Sequence, residues 1–105
     1  MSPSSLRRSA DFRRVLTKGT RCRRGGLTVV ASPAPDQDTR VGLVVGRSVG
    51  GAVERNRVKR RLRSASGDIE WERGMEYVIM ADRQAGDVAY PVLVDWLQRA
   101  VAGAR

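Results

Sequence analysis

The chain has 105 residues, 41% hydrophobic and 30% charged, with 20 Lys and Arg against 11 Asp and Glu for a net charge of +9. That length supports one compact core and not two, and no apolar run approaches the roughly 20 residues a membrane span needs. With no histidine and a single cysteine, Cys22, internal disulfides, zinc sites built from Cys and His, and Ser–His or Cys–His nucleophile pairs are excluded.

In chain order, residues 1–9 are rich in Arg and Ser and poor in acids, in the style of an organelle transit peptide, but lack the apolar stretch of a secretory signal. Residues 1–8 are expected to be flexible, within one domain over 1–105. Ser9 is expected to cap a first helix with Asp11 in its first turn, Phe12, Val15 and Leu16 on one face, and Gly19 as its stop. Arg21–Arg24 reads as a short edge strand and Leu27–Ser32 as a strand, by its β-branched content. Ser32–Thr39, with its prolines and acids, reads as a loop. Val41–Gly46 is apolar enough for a central strand, and a helix over Ala52–Ala65 follows Gly50 and Gly51. After a polar, acidic connector, Ser66–Gly74, come a strand over Glu76–Ala81 and a last helix near Ala89 with Pro91 in its first turn. That helix has an apolar face of Val92, Leu93, Trp96, Leu97, Ala100 and Val101. The order α-β-β-β-α-β-α predicts an α+β two-layer sandwich, one four-stranded sheet covered by helices.

The excess charge sits in two blocks. Residues 1–31 and residues 40–63 each carry a net +7, while residues 64–105 carry a net −3. Of the 20 cations 18 are Arg, whose planar fork grips phosphate and stacks on bases. Blocks this concentrated point to a polyanionic partner. On a helical wheel, Val58, Leu62 and Ala65 form a narrow apolar stripe. Asn56, Lys59, Arg60 and Arg63 lie on the far side, and Arg55, Arg57 and Arg61 flank the stripe. Like charges one turn apart repel by a few tenths of a kcal/mol, and cations near a helix start oppose its dipole. A helix built for stability would carry acids there; one built to hold phosphates would not.

The run Val49-Gly50-Gly51-Ala52-Val53-Glu54-Arg55-Asn56-Arg57-Val58-Lys59-Arg60-Arg61-Leu62-Arg63 resembles the motif of the bacterial ribonuclease P protein family, in which V-G-N-A-V leads into R-N-R-x-K-R-x-x-R. Ala10-Asp11-Phe12 with Lys18-Gly19-Thr20 is similar to the family's first helix and its end, and Arg40-Val41-Gly42-Leu43-Val44-Val45 to its R-V-G-x-x-V strand. The resemblance runs from about Ser5 to Val101 and implies a fold of the ribosomal-protein-S5-domain-2 kind, with a left-handed crossover around the motif helix. It implies an accessory subunit whose RNA partner is a ribozyme that removes the 5′ leader from precursor tRNA with Mg²⁺ held by RNA. The protein itself would bind no cofactor and supply no catalytic residue. By position, Arg55, Asn56, Arg57, Lys59, Arg60 and Arg63 would contact the ribozyme, and Phe12, Leu16 and Val30 would line a cleft for the leader. Three departures stand out: Gly51 replaces the usual asparagine, Leu16 and Val30 stand where aromatics are common, and the connector is short and acidic. No membrane or protein partner is implied, and the missing signal together with the RNA partner points to the cytoplasm.

Other readings explain less. A protein-only nuclease would need carboxylates converging on Mg²⁺, and Asp68, Glu70, Glu72 and Glu76 read as a solvated acidic loop and strand start. A general RNA-binding module accounts for the charge but not for the ordered motif spacing. A membrane-surface or calmodulin-type helix needs a wide apolar face opposite its cations, which residues 52–65 lack. Cys22 reads as an edge-strand cysteine between Arg21 and Arg23, and Trp71, Tyr77, Tyr90 and Trp96 as packing residues.

Overall fold

Runs of β-branched and aliphatic residues become the inner strands, as their fit to a pleated, buried surface dictates. The computed structural model describes residues 3–34 and 38–105. It places β1 at Ser4–Ser5, α1 at Ser9–Lys18, β2 at Thr20–Arg24, β3 at Leu27–Pro33 and β4 at Arg40–Val45. A 3₁₀ turn at Arg47–Val49 leads into α2 at Ala52–Gly67, followed by β5 at Met75–Ala81, α3 at Gln84–Asp87 and α4 at Tyr90–Ala104. The strands form one mixed sheet in the order β1-β4-β5-β3-β2. β3 is antiparallel to both β2 and β5, whereas β4 runs parallel to β5 and to β1. Parallel neighbours cannot be joined by a tight turn, so the chain leaves β4, crosses the sheet as α2 and returns as β5.

The sheet has five strands, not the expected four. Ser4 and Ser5 pair with Arg40 and Val41, although two serines carry no strand signal. The segment is held from outside. The Leu6 N–H donates to the Val41 carbonyl at 3.0 Å, and the Leu6 side chain, 5% exposed, is buried beneath α1 with Val15, Val30 and Val78. Residues 4–6, expected to be flexible, are therefore tied to the sheet.

The helices occupy both faces, which corrects the two-layer expectation. Strand side chains alternate: Leu27, Val29, Ala31, Val41, Tyr77 and Ile79 form the larger core with Val58 and Leu62 of α2 and Leu93, Leu97 and Val101 of α4. Val30 and Val78 point the other way, to α1. The apolar stripe read for α2 is the buried one, with Val58, Leu62 and Ala65 at most 1% exposed. On α4 the expected face holds except that Val92 is exposed, and the Trp96 indole is half-buried against Gly25. Gly25 turns the β2–β3 hairpin with φ +55, and a Cβ there would collide with that ring.

Boundaries moved little. β3 runs one residue past its expected end at Ser32, with Pro33, read as loop, opposite Met75, and the middle of that loop lies outside the described residues. Ser9 does not cap α1: it is the first helical residue, and Arg8 occupies the cap position without a side-chain bond. α3 was not foreseen. Among the described residues no helix is long and apolar enough to cross a membrane.

Candidate nucleic-acid interface

With its apolar stripe committed to the sheet, α2 turns the rest of its circumference outward. Asn56, Arg57, Arg60 and Arg63 are exposed, and Arg55 and Lys59 are half-buried. Among the described residues none of these five cations has an ion-pair partner. Among the described residues the helix therefore presents a row of uncompensated charge, open to an anion from outside. Arg61, adjacent in sequence, differs. Its guanidinium donates to the Ala85 carbonyl at 2.7 Å and to the Val88 carbonyl, tying α2 to the end of α3. Nothing in a run of consecutive cations marks Arg61 for this task, because its acceptors are backbone groups some 25 residues away.

On the other face of the sheet, α1 and β4 enclose a groove of about 530 Å³ lined by Arg7, Ser9, Phe12, Arg13, Leu16, Thr17 and Val44. Phe12 and Leu16 are half-buried and Val44 is 37% exposed, so the floor is apolar while Arg7 and Arg13 stand exposed on the rim. The ring of Phe12 lies directly on the Cα of Gly42, where a Cβ would collide with it; a glycine lets helix and strand approach this closely. Val30, expected on the cleft wall, is fully buried beneath α1 and underlies the groove instead of facing it. Arg13 and Thr17 were missed as lining residues, although they share the helix flank of Ser9 and Leu16. Val44 was missed too, although strand alternation puts it on the face of Gly42. A second depression of about 470 Å³ runs past Pro3, Ser5, Leu6, Phe12, Val41 and Leu43 to Lys59, Arg63 and Ser66. Phe12 borders both hollows, so the groove and the basic helix meet around the outer edge of β4.

Behind α1, four charged side chains close a ring. Arg14 donates to Asp11 at 3.0 Å and to Glu76 at 2.6 Å. Arg40 donates to the other oxygen of Glu76 and lies 3.8 Å from Asp11. The Glu76 side chain is 2% exposed. These bonds, first to Glu76 and then to Asp11, raise the pKa of Arg14 above its ordinary value. Arg14 and Arg40 are thus already neutralised, unlike the cations of α2. The carboxylates weighed as metal ligands do not converge. Glu76 belongs to this ring, Asp68 accepts from the Tyr90 hydroxyl at 2.6 Å, and Glu72 pairs with Arg105 at 3.4 Å. Among the described residues no three Asp, Glu or Cys side chains gather as a metal-holding group.

A family model described as Ribonuclease P matches residues 2–105. The chain belongs to the ribonuclease P protein family. It is 38% identical over 101 residues to the "Ribonuclease P protein component" of Kocuria rhizophila, covering 94% of this chain and 89% of that one. To the protein of the same name from Mycobacterium bovis it is 45% identical over 64 residues, 61% of this chain and 55% of the relative, so the match spans about half that relative's length. Among solved structures, the Staphylococcus aureus RNase P protein superposes with a TM-score of 0.82 at 22% identity, covering 96% of this chain and 94% of that one. At that identity the likeness speaks for the fold, and the five-stranded mixed sheet with its helices is the ribonuclease P protein architecture.

Proposed function

We propose that this chain is the RNA-binding subunit of a ribonuclease P, an endoribonuclease in which a catalytic RNA removes the 5′ leader of precursor tRNA. The observation that carries the reading is the row of five unpaired cations on α2, joined around the edge of β4 to an apolar-floored groove with a basic rim. Arg55, Arg57, Lys59, Arg60 and Arg63 neutralise phosphates of the ribozyme and Asn56 adds a hydrogen-bonding amide. Each phosphate contact releases counterions, which gives the association its free energy and its salt dependence. Phe12 and Leu16, with Val44 beside them, offer apolar surface to leader bases, while Arg7 and Arg13 hold the strand by its backbone. Only Phe12 supplies an aromatic face, so leader contact is tolerant of sequence and modest in strength.

The chemistry stays with the RNA. In this reading Mg²⁺ is held by the RNA of the RNA–protein holoenzyme. The protein's part is to lower repulsion between two polyanions and to add leader contacts that broaden the substrate range, in the cytoplasm where precursor tRNA is made. Cleavage of precursor tRNA by a bacterial ribonuclease P RNA at low Mg²⁺, with and without this protein, tests the reading on a long-leader substrate and on one trimmed to a single leader nucleotide. Stimulation that favours the long leader is expected. Equal stimulation of both would remove leader recognition, and RNA binding without stimulation would leave a general RNA-binding module.

A further inference from the structure

Asp11, Arg14, Arg40 and Glu76 alternate in sign around a closed circuit, and the circuit links one turn of α1 to two adjacent strands. Arg40 and Glu76 are register partners on β4 and β5, and Asp11 and Arg14 reach them from the helix above. On a helical wheel Asp11 and Arg14 lie on the flank of α1 opposite Ser9, Arg13 and Leu16, which face the groove. The sheet beneath repeats the division. Along one face of β4, Arg40 belongs to the ring, Gly42 carries the Phe12 ring, and Val44 floors the groove. Alternate residues of a strand are about 6.6 Å apart, so ring and groove lie about 13 Å apart on either side of the Phe12 contact. α1 thus rests on Gly42 with the ring on one flank, while the groove flank is held by the packing of Leu16 and by the Arg21 guanidinium, which donates to the Leu16 carbonyl at 3.2 Å. Among the described residues the ring is the one set of ion pairs that ties the helix to β4 and β5, so its geometry bears on the opening across the helix.

We propose that the Asp11–Arg14–Glu76–Arg40 ring is the positioning device of α1, setting the width of the groove between α1 and Val44 and so the strength of leader binding. The proposal rests on the leader reading above. It assigns Glu76 and Arg14 no contact with RNA; they act through the placement of Phe12, Leu16 and Arg13.

The test is the ratio of affinities of the ribozyme–protein complex for long-leader and single-nucleotide-leader precursor tRNA, with ribozyme affinity and thermal unfolding measured alongside. Glu76→Gln raises the net charge of the chain from +9 to +10 and Arg14→Gln lowers it to +8, so bulk electrostatics moves the two variants in opposite directions. A positioning role moves them the same way. The long-leader preference is expected to fall about threefold or more in both, as coupled neighbouring groups do, with ribozyme affinity near that of the unmodified protein and Arg14→Lys restoring most of the preference. If the ratio follows charge, rising in Glu76→Gln and falling in Arg14→Gln, the proposal is overturned. Should buried Glu76→Gln fail to fold, Arg14→Gln at the half-exposed end decides against Arg8→Gln, which removes a nearby charge outside the ring: equal losses in the two overturn the proposal, and a loss confined to Arg14→Gln supports it. No leader preference in the unmodified protein would overturn the leader reading itself, and the ring's role with it.

Discussion

Arg60 and Arg61 are neighbours in a run of cations, yet the structure gives them opposite tasks, and replacing each by glutamine separates the two. Arg61 donates to two carbonyls at the end of α3. A hydrogen bond from a charged donor contributes about 1.5–3 kcal/mol; water re-solvates part of what is lost, so Arg61→Gln is expected to cost about 2 kcal/mol in all. For a domain of this size that lowers the melting midpoint by about 8–16 °C. Arg60 is exposed and unpaired, so Arg60→Gln stays within about 0.5 kcal/mol of the unmodified protein. RNA binding reverses the ranking. Five phosphates neutralised by α2 give log K against log salt a slope of about −3.5 to −4.5, at about 0.7–0.9 per phosphate. Arg60→Gln reduces the slope by one such step and Arg61→Gln leaves it in place. Thermal unfolding, with titrations of ribonuclease P RNA across a salt series, reads both. A slope reduced by Arg61→Gln with its melting midpoint unchanged would refute the division of labour, as would a slope near zero for the unmodified protein.

Other outcomes follow from single contacts. Gly42→Ala places a methyl group where the Phe12 ring lies, so the ring is displaced at a cost of about 1–3 kcal/mol, and the long-leader preference in cleavage falls with it. Gly51 caps α2 without a side-chain bond, and a Cβ there meets only a Glu54 carboxylate oxygen, at 3.2 Å. Gly51→Asn therefore fits and is expected to raise stability by a few tenths of a kcal/mol, read by denaturant unfolding. The Tyr90 hydroxyl, bonded to Asp68, has its pKa raised above the ordinary 10.0, chiefly by that bond. A raised folded value stabilises the protein below the ordinary pKa and is lost as pH climbs through the folded one. An ultraviolet titration should show Tyr90 ionising late, and Asp68→Asn should bring it back toward the ordinary range.

How much of this was readable in the sequence depends on whether a residue's partner was near it. β3, β4 and β5 announce themselves as β-branched or continuous apolar runs, and α1, α2 and α4 through helical periodicity, because each helix buries one face of its own. The exposed row of α2 was readable for the same reason, since positions that cannot face the core must face water. β1 was not, because its pairing comes from Leu6 lodged under α1 and from an edge left open by β4. The burial of Val30 escaped notice because alternation along β3 shows that it leaves the α4 side, but not that α1 covers it. Glu76 read as one more acid in an acidic stretch; only the register with Arg40 and the reach of Arg14 across the sheet turn it into the anchor of α1.

The sheet order also bears on how the chain is made. β5, between β4 and β3, is the last strand in the sequence, so on a ribosome β3 and β4 emerge with no strand to separate and join them. Until Met75–Ala81 is available the strands can form only the β2–β3 hairpin and the two-residue β1–β4 pairing, and α2 lacks the β5 and α4 side chains against which Val58 and Leu62 are buried. Non-local pairing of this kind slows folding and leaves strand edges exposed meanwhile. A nascent chain halted before β5 would be a basic, unsupported segment, prone to cling to any nearby nucleic acid through charge alone.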